Sequence, residues 1–148
     1  MKLIEKALSQ YGIEEMAGRE ENSPQILEYF ADLDYPWVKT DETSWCSAFV
    51  NWVAQQCGYE FSGKLDARSW LNYGDEVYIP AVGDLAIFWR IARDDWRGHV
   101  GFFVRETEDT VFVLGGNQDN KVCVKEYPKE GRRIGLIGYR RLRKLREK

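Results

Sequence analysis

The second half of the chain holds five short apolar segments that are separated by turn or charged residues. They cover residues 84–90, 99–105, 111–116, 121–126 and 134–142. Segments of this length, rich in β-branched residues and joined by short connections, predict an antiparallel sheet. Asp84, at the start of the first segment, is interpreted as a turn residue. Because the chain before Pro80 has a helical period instead, the order of elements predicts an α+β fold with about five strands.

The first half is predicted to be helical from its apolar spacing and its capping residues. The predicted helices cover residues 2–11, a segment that begins at Ser23-Pro24, residues 44–57 and residues 66–73. Ser23 is the expected N-cap of the second helix, and Thr43 or Ser44 that of the third. Gly58 supplies the left-handed exit from the third helix. Residues 34–43 are predicted to form a loop.

A length of 148 residues fits one domain with a real hydrophobic core. We predict a single domain over residues 1–148, with a helical N-terminal portion (1–43), a central helix (44–58) and the sheet (80–142). Hydrophobic residues at 44% and charged residues at 30% are ordinary values for globular proteins, so disorder is not expected.

The net charge of −3 argues against a general nucleic-acid-binding protein. Basic residues nevertheless concentrate at the C-terminal end, where eight Lys or Arg residues lie between Arg132 and Lys148. A basic terminus is most often solvated, and the alternative is contact with a polyanion. Under that alternative, deleting residues 140–148 weakens binding to an anionic envelope in a salt-dependent way.

The spacing of Cys46, Cys57 and Cys123 does not match a disulfide framework, which favours synthesis in a reducing compartment. The first residues carry charges where a secretory signal has an apolar core, and no apolar run is long enough to cross a bilayer. We expect synthesis in the cytoplasm without a signal peptide, no membrane insertion, and release to any extracellular substrate through a pore or a secretion machine.

Two residue types in this chain suggest nucleophilic chemistry. Cys46 stands at the predicted start of the third helix, where backbone N–H groups favour an anion, so we expect a lowered thiol pKa and an oxyanion site. His99 is the only histidine in the chain, and its side chain titrates near neutrality, so it is the candidate base. Taken singly, Cys46 is better interpreted as a buried core cysteine, and His99 is consistent with a structural histidine.

The hairpin between the second and third strand segments gives a candidate partner for His99. If residues 106–110 form its loop, pairing is symmetric about Glu108, and His99 faces Asn117. Opposed side chains have Cβ atoms about 4.5–5.5 Å apart, so the Asn117 amide is predicted to orient the imidazole as the third member of a triad. A slip by one residue brings Gln118 opposite His99 instead.

The same register places Gly101 opposite Gly115, on the face of the predicted sheet that carries His99. Two missing side chains there are expected to leave room for the helix that begins at Cys46. A zinc site built from His99 and the three cysteines is not favoured, because the chain has no C-x-x-C pair. We expect no metal and no cofactor.

Three segments of the chain, taken together, resemble the CHAP and NlpC-type cysteine peptidases. They are Trp45-Cys46-Ser47-Ala48-Phe49-Val50, Gly98-His99-Val100-Gly101 and Gly115-Gly116-Asn117-Gln118. The resemblance is strongest to a small family of phage and bacterial proteins with W-C-x-x-F-V and G-G-N-Q signatures. It implies a papain-like α+β fold, in which the helix of the nucleophile packs on an antiparallel sheet. It also implies cleavage of an amide bond in peptidoglycan, by a stem-peptide endopeptidase or an N-acetylmuramoyl-L-alanine amidase.

Carried over to this chain, the resemblance makes Cys46 the nucleophile, His99 the base and then the acid, and Asn117 the orienting residue. Several CHAP domains have an acidic residue two positions before that asparagine, where this chain has Gly115. Further candidates near the site, including for the oxyanion, are Trp45, Ser47 and Gln118. The expected partner is peptidoglycan, and an immunity or delivery partner is left open.

Two other functions stay open at this point. A cysteine hydrolase or toxin that acts on a protein substrate would use the same residues. A non-catalytic binding module would keep Cys46 in its core, with an unperturbed or raised thiol pKa.

Overall fold

The computed structural model describes residues 2–15, 23–31 and 45–145. Its helices are α1 (Leu3–Leu8), α2 (Pro24–Ala31), α3 (Cys46–Gln56) and a 3₁₀ helix over Ala67–Asn72. The loop predicted for residues 34–43 lies outside the described residues, as do the expected caps Thr43 and Ser44. Of the helices in the described ranges, none has both the length and the apolar character needed to span a bilayer.

The strands form a six-stranded antiparallel sheet in the order β1-β6-β2-β3-β4-β5. They are β1 (Asp75–Val77), β2 (Leu85–Arg90), β3 (Gly98–Glu106), β4 (Thr110–Gln118), β5 (Lys121–Pro128) and β6 (Ile134–Arg141). The α+β prediction is confirmed, and its five segments correspond to β2 through β6. The sixth strand, β1, was missed because it has three residues, two of them acidic, and pairs at the sheet edge with the end of β6.

Local sequence signals set the start of α2 and the end of α3. The hydroxyl of Ser23 accepts the N–H of Ile26 at 3.4 Å, which is the predicted N-cap contact of α2. Gly58, which follows the C-terminal end of α3, has a φ of +75°, so the chain leaves that helix through a left-handed residue as predicted.

Helix α3 is the centre of the core. Residues 46–54 are all buried, because the helix is covered on two sides. The ring of Phe49 lies 5.3 Å from that of Tyr29 on α2 and 6.2 Å from that of Phe102 on β3. The opposite face of the sheet carries a second apolar cluster, formed by Ala86, Phe88, Phe103, Val111, Val113 and Tyr139. The sheet is therefore covered by apolar side chains on both faces.

The basic C-terminal segment is part of the fold as far as residue 145. Arg140 lies in β6 and pairs with Glu76 at 3.8 Å, Leu142 is buried, and Arg143 forms an ion pair with Asp75. Most basic side chains of this segment are exposed to solvent, as expected, but its backbone as far as residue 145 belongs to the fold and is not a separate tail. Deleting residues 140–148 would remove the end of a strand, so that deletion does not isolate an effect of charge.

Candidate active site

Cys46 is the first residue of α3 and is 4% exposed. The backbone N–H groups of Val100, Ser47 and Cys46 itself interact with its sulfur. Val100 follows His99 in β3. The start of α3 therefore lies against β3 at Val100, the residue directly after the one that carries the imidazole.

Burial raises the pKa of the Cys46 thiol above its ordinary value. The amides of Val100 and Ser47 and the positive charge of Arg90 lower it, but they do not outweigh burial. The expected lowering is therefore wrong for this site. A buried thiolate loses more hydration free energy than it gains from interactions with the N–H groups of the helix N-terminus, so the resting group is a neutral thiol.

His99 is 4% exposed and is enclosed by aromatic rings. The ring centroids of Tyr127 and Phe88 lie 4.9 Å and 6.3 Å from that of the imidazole. Burial lowers the pKa of His99 to about 4, against the opposing effect of a hydrogen bond to Gln118. His99 is consequently neutral at pH 7, which is the protonation state that a general base requires.

The hydrogen bonds of Gln118 decide which imidazole nitrogen carries the proton. Its Nε2 donates to the carbonyl oxygens of Val113 at 3.1 Å and Cys123 at 2.6 Å. Its Oε1 lies 2.8 Å from Nε2 of His99. Because an amide oxygen only accepts, His99 must donate through Nε2, and this network assigns the proton to that atom. The lone pair is then on Nδ1, which is the nitrogen able to accept a proton.

The hydrogen-bond partner of Nε2 of His99 is Gln118, the residue that a one-residue slip in register would bring opposite, and the orienting role of Asn117 stays a prediction. The predicted hairpin register holds at Phe102, which pairs with Leu114. It does not continue to the end of β4, because Asn117 has a φ of +57° and the register against β5 shifts before Gln118. Such a bulge adds one residue and turns the next side chain to the opposite face. Asn117 lines the cavity beside His99 instead.

Glycines make room at this site, but not in the predicted way. A Cβ on Gly115 would lie 2.7 Å from Oε1 of Gln118, so this glycine makes space for the amide. A Cβ on Gly116 would lie 2.5 Å from the ring of Trp45, so this glycine makes space for the start of α3. Gly101 faces a side chain of β4. The expectation that Gly101 and Gly115 leave room for the helix is therefore wrong. Gly116 is the glycine whose missing side chain allows α3 to approach the sheet.

Two of the near-site candidates direct their side chains into the fold. The hydroxyl of Ser47 donates to the carbonyl of Lys64 at 2.7 Å and accepts the indole N–H of Trp70 at 2.9 Å. The indole N–H of Trp45 donates to Oε1 of Glu15 at 2.5 Å. Both side chains hold the start of α3 in place, whereas the third candidate, Gln118, contacts the imidazole directly.

Two adjoining cavities open at the site and share Arg90 in their walls. One, of about 260 Å³, is lined by Cys46, Arg90 and Trp96 among others. The other, of about 310 Å³, is lined by Arg90, His99 and Tyr127 among others. Sequence reasoning missed Arg90 and Tyr127. The available signals were weak: Arg90 is the first charge after an apolar run, and Tyr127 follows two charged residues near the end of β5.

Cys57 and Cys123 lie in different parts of the fold from Cys46. Cys57 follows the far end of α3, and its sulfur is 3.9 Å from the carbonyl oxygen of Lys2. The sulfur of Cys123 donates to the carbonyl oxygen of Gln118 at 3.3 Å. Within residues 2–15, 23–31 and 45–145, no group of three or more His, Cys, Asp or Glu side chains is placed to hold a metal ion.

Comparisons with known proteins agree with this architecture. A family model described as the CHAP domain matches residues 38–117, more than half of the chain. A similar solved structure is that of a lipoprotein-like protein of the NLP/P60 family from Staphylococcus aureus subsp. aureus Mu50, with a TM-score of 0.51 and 17% identity. The match covers 98% of this chain and 41% of that one, so the likeness concerns the fold, and this chain spans less than half of that protein. No curated protein matches the sequence.

Proposed function

This chain belongs to the CHAP domain family, and we propose that it is a cysteine hydrolase that cleaves an amide bond of peptidoglycan. The proposed nucleophile is Cys46 and the proposed base is His99. The bond is either within the stem peptide or between the lactyl group and L-alanine. One observation carries the proposal: the Cys46 sulfur lies against the residue after His99, whose tautomer leaves Nδ1 able to take a proton.

Acylation begins from a neutral pair in this proposal. As the sulfur of Cys46 attacks the carbonyl carbon, Nδ1 of His99 takes the thiol proton, so the anion need not exist before the substrate arrives. Negative charge moves to the carbonyl oxygen, where the backbone N–H of Cys46 at the helix start stabilises it. His99 then gives its proton to the leaving amine, the C–N bond breaks, and a thioester remains on Cys46.

Deacylation uses the same imidazole. His99 takes a proton from water as the water oxygen attacks the thioester carbon, and the C–S bond then breaks. The sulfur leaves as it regains a proton from His99, and the product carries a new carboxyl group. Gln118 acts as a positioning residue throughout, because its bond to Nε2 keeps Nδ1 as the basic nitrogen.

One observation favours a second candidate, the non-catalytic binding module. That function predicts a buried Cys46 with a raised thiol pKa, and both features are present. A binding module gives no reason for a buried imidazole that lines a cavity. Nor does it explain why the hydrogen bonds of Gln118 fix the tautomer of that imidazole. The two candidates differ in one decisive respect, which is whether a covalent bond of the wall polymer is broken.

The test is a digest of purified peptidoglycan read by mass spectrometry. Wild type is compared with Cys46→Ala and His99→Ala, and Cys57→Ala serves as the matched control at the other end of α3. We expect new amine termini from wild type and Cys57→Ala only, and the fragment masses identify the bond. Absence of release by wild type from every wall type would reject the proposal. If Cys46 were still reactive in that case, a protein substrate would become the leading alternative.

A further inference from the structure

Arg90 occupies a position common to both parts of the site. It is the last residue of β2, it is exposed, and it lines the cavity of Cys46 as well as the cavity of His99. A substrate whose scissile amide contacts both Cys46 and His99 has to pass the boundary between these cavities. Arg90 is the residue that the walls of both cavities share.

Arg90 has no carboxylate partner among the described residues. In the part of the chain that the structure describes, its side chain forms no ion pair and no hydrogen bond. Four other arginines are paired with carboxylates, namely Arg97 with Asp95, Arg140 with Glu76, Arg141 with Asp84 and Arg143 with Asp75. The five N–H donors of Arg90 are therefore available to a ligand.

Of the described cations that line the two cavities, Arg90 is the one without a carboxylate partner. In the His99 cavity the other charged lining residue is Lys125, which is bonded to Asp119 at 2.8 Å. In the Cys46 cavity Arg97 and Asp66 are the other charged lining residues, and Arg97 is already bonded to Asp95. The positive charge of Arg90 lowers the pKa of both Cys46 and His99, in agreement with a guanidinium that faces both groups.

We infer that Arg90 binds a carboxylate of the substrate beside the scissile amide. A guanidinium presents two parallel N–H groups to a carboxylate, and this geometry gives both affinity and orientation. The inference rests on the proposed function and narrows its substrate class to peptides with a free carboxylate next to the bond that is cut. The free α-carboxylate of a γ-linked glutamate is such a group, and its carboxamide is not.

The test uses two synthetic stem peptides that are identical except that this α-carboxylate is free in one and a carboxamide in the other. For each, kcat/KM is measured with wild type, Arg90→Gln, Arg90→Lys and Arg93→Gln. Arg93 is the matched control, since it is exposed, lies over the ring of Trp89 and lines neither cavity. The ratio of the two kcat/KM values is the readout, because a changed pKa at Cys46 or His99 affects both peptides alike.

We expect wild type and Arg93→Gln to prefer the carboxylate peptide by about 10- to 100-fold. The ratio should fall to about one in Arg90→Gln and lie between in Arg90→Lys, which keeps the charge without the fork. An unselective wild type, or an Arg90→Gln variant that keeps the preference, would overturn the inference.

Binding of both peptides to Cys46→Ala, measured by calorimetry with and without Arg90→Gln, separates the two proposals. Selective binding that depends on Arg90, without turnover by wild type, supports the inference and rejects the proposed reaction. Unselective binding, or no binding of either peptide, rejects the inference whatever the hydrolysis shows.

Discussion

Gln118 accepts the Nε2 proton of His99 at 2.8 Å while both of its own amide hydrogens are bonded to backbone carbonyls. Every polar atom of this buried side chain thus has a partner, and the amide is unable to rotate without losing hydrogen bonds. A carboxylate at this position would set an anion against the carbonyls of Val113 and Cys123. The structure therefore explains why an amide, and not an acid, orients this imidazole.

Replacing Gln118 with alanine should lower kcat about 10- to 100-fold, because the imidazole loses the acceptor that selects its tautomer. The acid limb of the kcat/KM profile should move as well, which a purely structural loss would not cause. The matched control is Asn117→Gly, which removes the neighbouring side chain and tolerates its φ of +57°. A larger loss in Asn117→Gly than in Gln118→Ala would instead support the orienting role predicted for Asn117.

The buried imidazole should make the fold sensitive to acid. The pKa of His99 is about 4 in the folded chain, against an ordinary value of 6.5. The unfolded chain therefore binds the proton first as pH falls, and stability is lost between about pH 6.5 and pH 4. This loss is at most about 3 kcal/mol.

Urea unfolding of wild type and His99→Gln at several pH values checks this linkage. The unfolding free energy of wild type minus that of His99→Gln should fall as the pH falls through that window. The titration of carboxyl groups changes the stability of both proteins alike and cancels in this difference. A difference that is independent of pH would show that His99 titrates normally in the folded chain.

Cys46 should react slowly with iodoacetamide at neutral pH, because burial raises the pKa of its thiol. At pH 7 we expect a rate at least about tenfold below that of an exposed cysteine, rising steadily toward high pH. The rate is read by mass spectrometry of the Cys46 peptide, with Cys57 and Cys123 of the same sample for comparison. A rate plateau near pH 6 that disappears in His99→Ala would instead demonstrate a preformed thiolate.

Gly116→Ala should destabilise the chain by about 1–3 kcal/mol. Its Cβ would lie 2.5 Å from the ring of Trp45 and 2.9 Å from Cβ of Phe49, so the start of α3 has to shift. Gly138→Ala is the control, because a Cβ there has no heavy atom within 4 Å. Thermal unfolding should show no loss of stability in the control, and equal melting temperatures for the two variants would contradict the close approach.

Asp84→Ala should cost about 2–4 kcal/mol of stability. Its buried carboxylate accepts two hydrogen bonds from Arg141, at 3.0 and 2.9 Å, and one from the N–H of Ala81 at 2.8 Å. Asp75→Ala removes an exposed carboxylate that also pairs with an arginine, and should cost much less stability because solvent screens that pair. Comparable losses of unfolding free energy in the two variants would show that burial of Asp84 adds nothing.

Local patterns were sufficient to predict most of the fold. The alternation of apolar residues predicted β2 through β6, and the capping of α2 at Ser23 and the end of α3 at Gly58 follow from neighbouring residues alone. Asp84 is the turn residue it was predicted to be, but its bidentate bond with Arg141 was not foreseen. That contact joins residues 57 positions apart, and no local pattern reports it.

By itself, the sequence determined the α+β order of elements, the place of Cys46 at a helix start and that of His99 in a strand, because these depend on residues close together in the chain. Only the tertiary structure decided that Gln118 contacts His99, since a bulge at Asn117 changes which face each side chain takes. It also decided the protonation states of Cys46 and His99, and the place of Arg90 between them. Burial and charge at a site are set by side chains from distant segments, and they exist only once those segments have packed together.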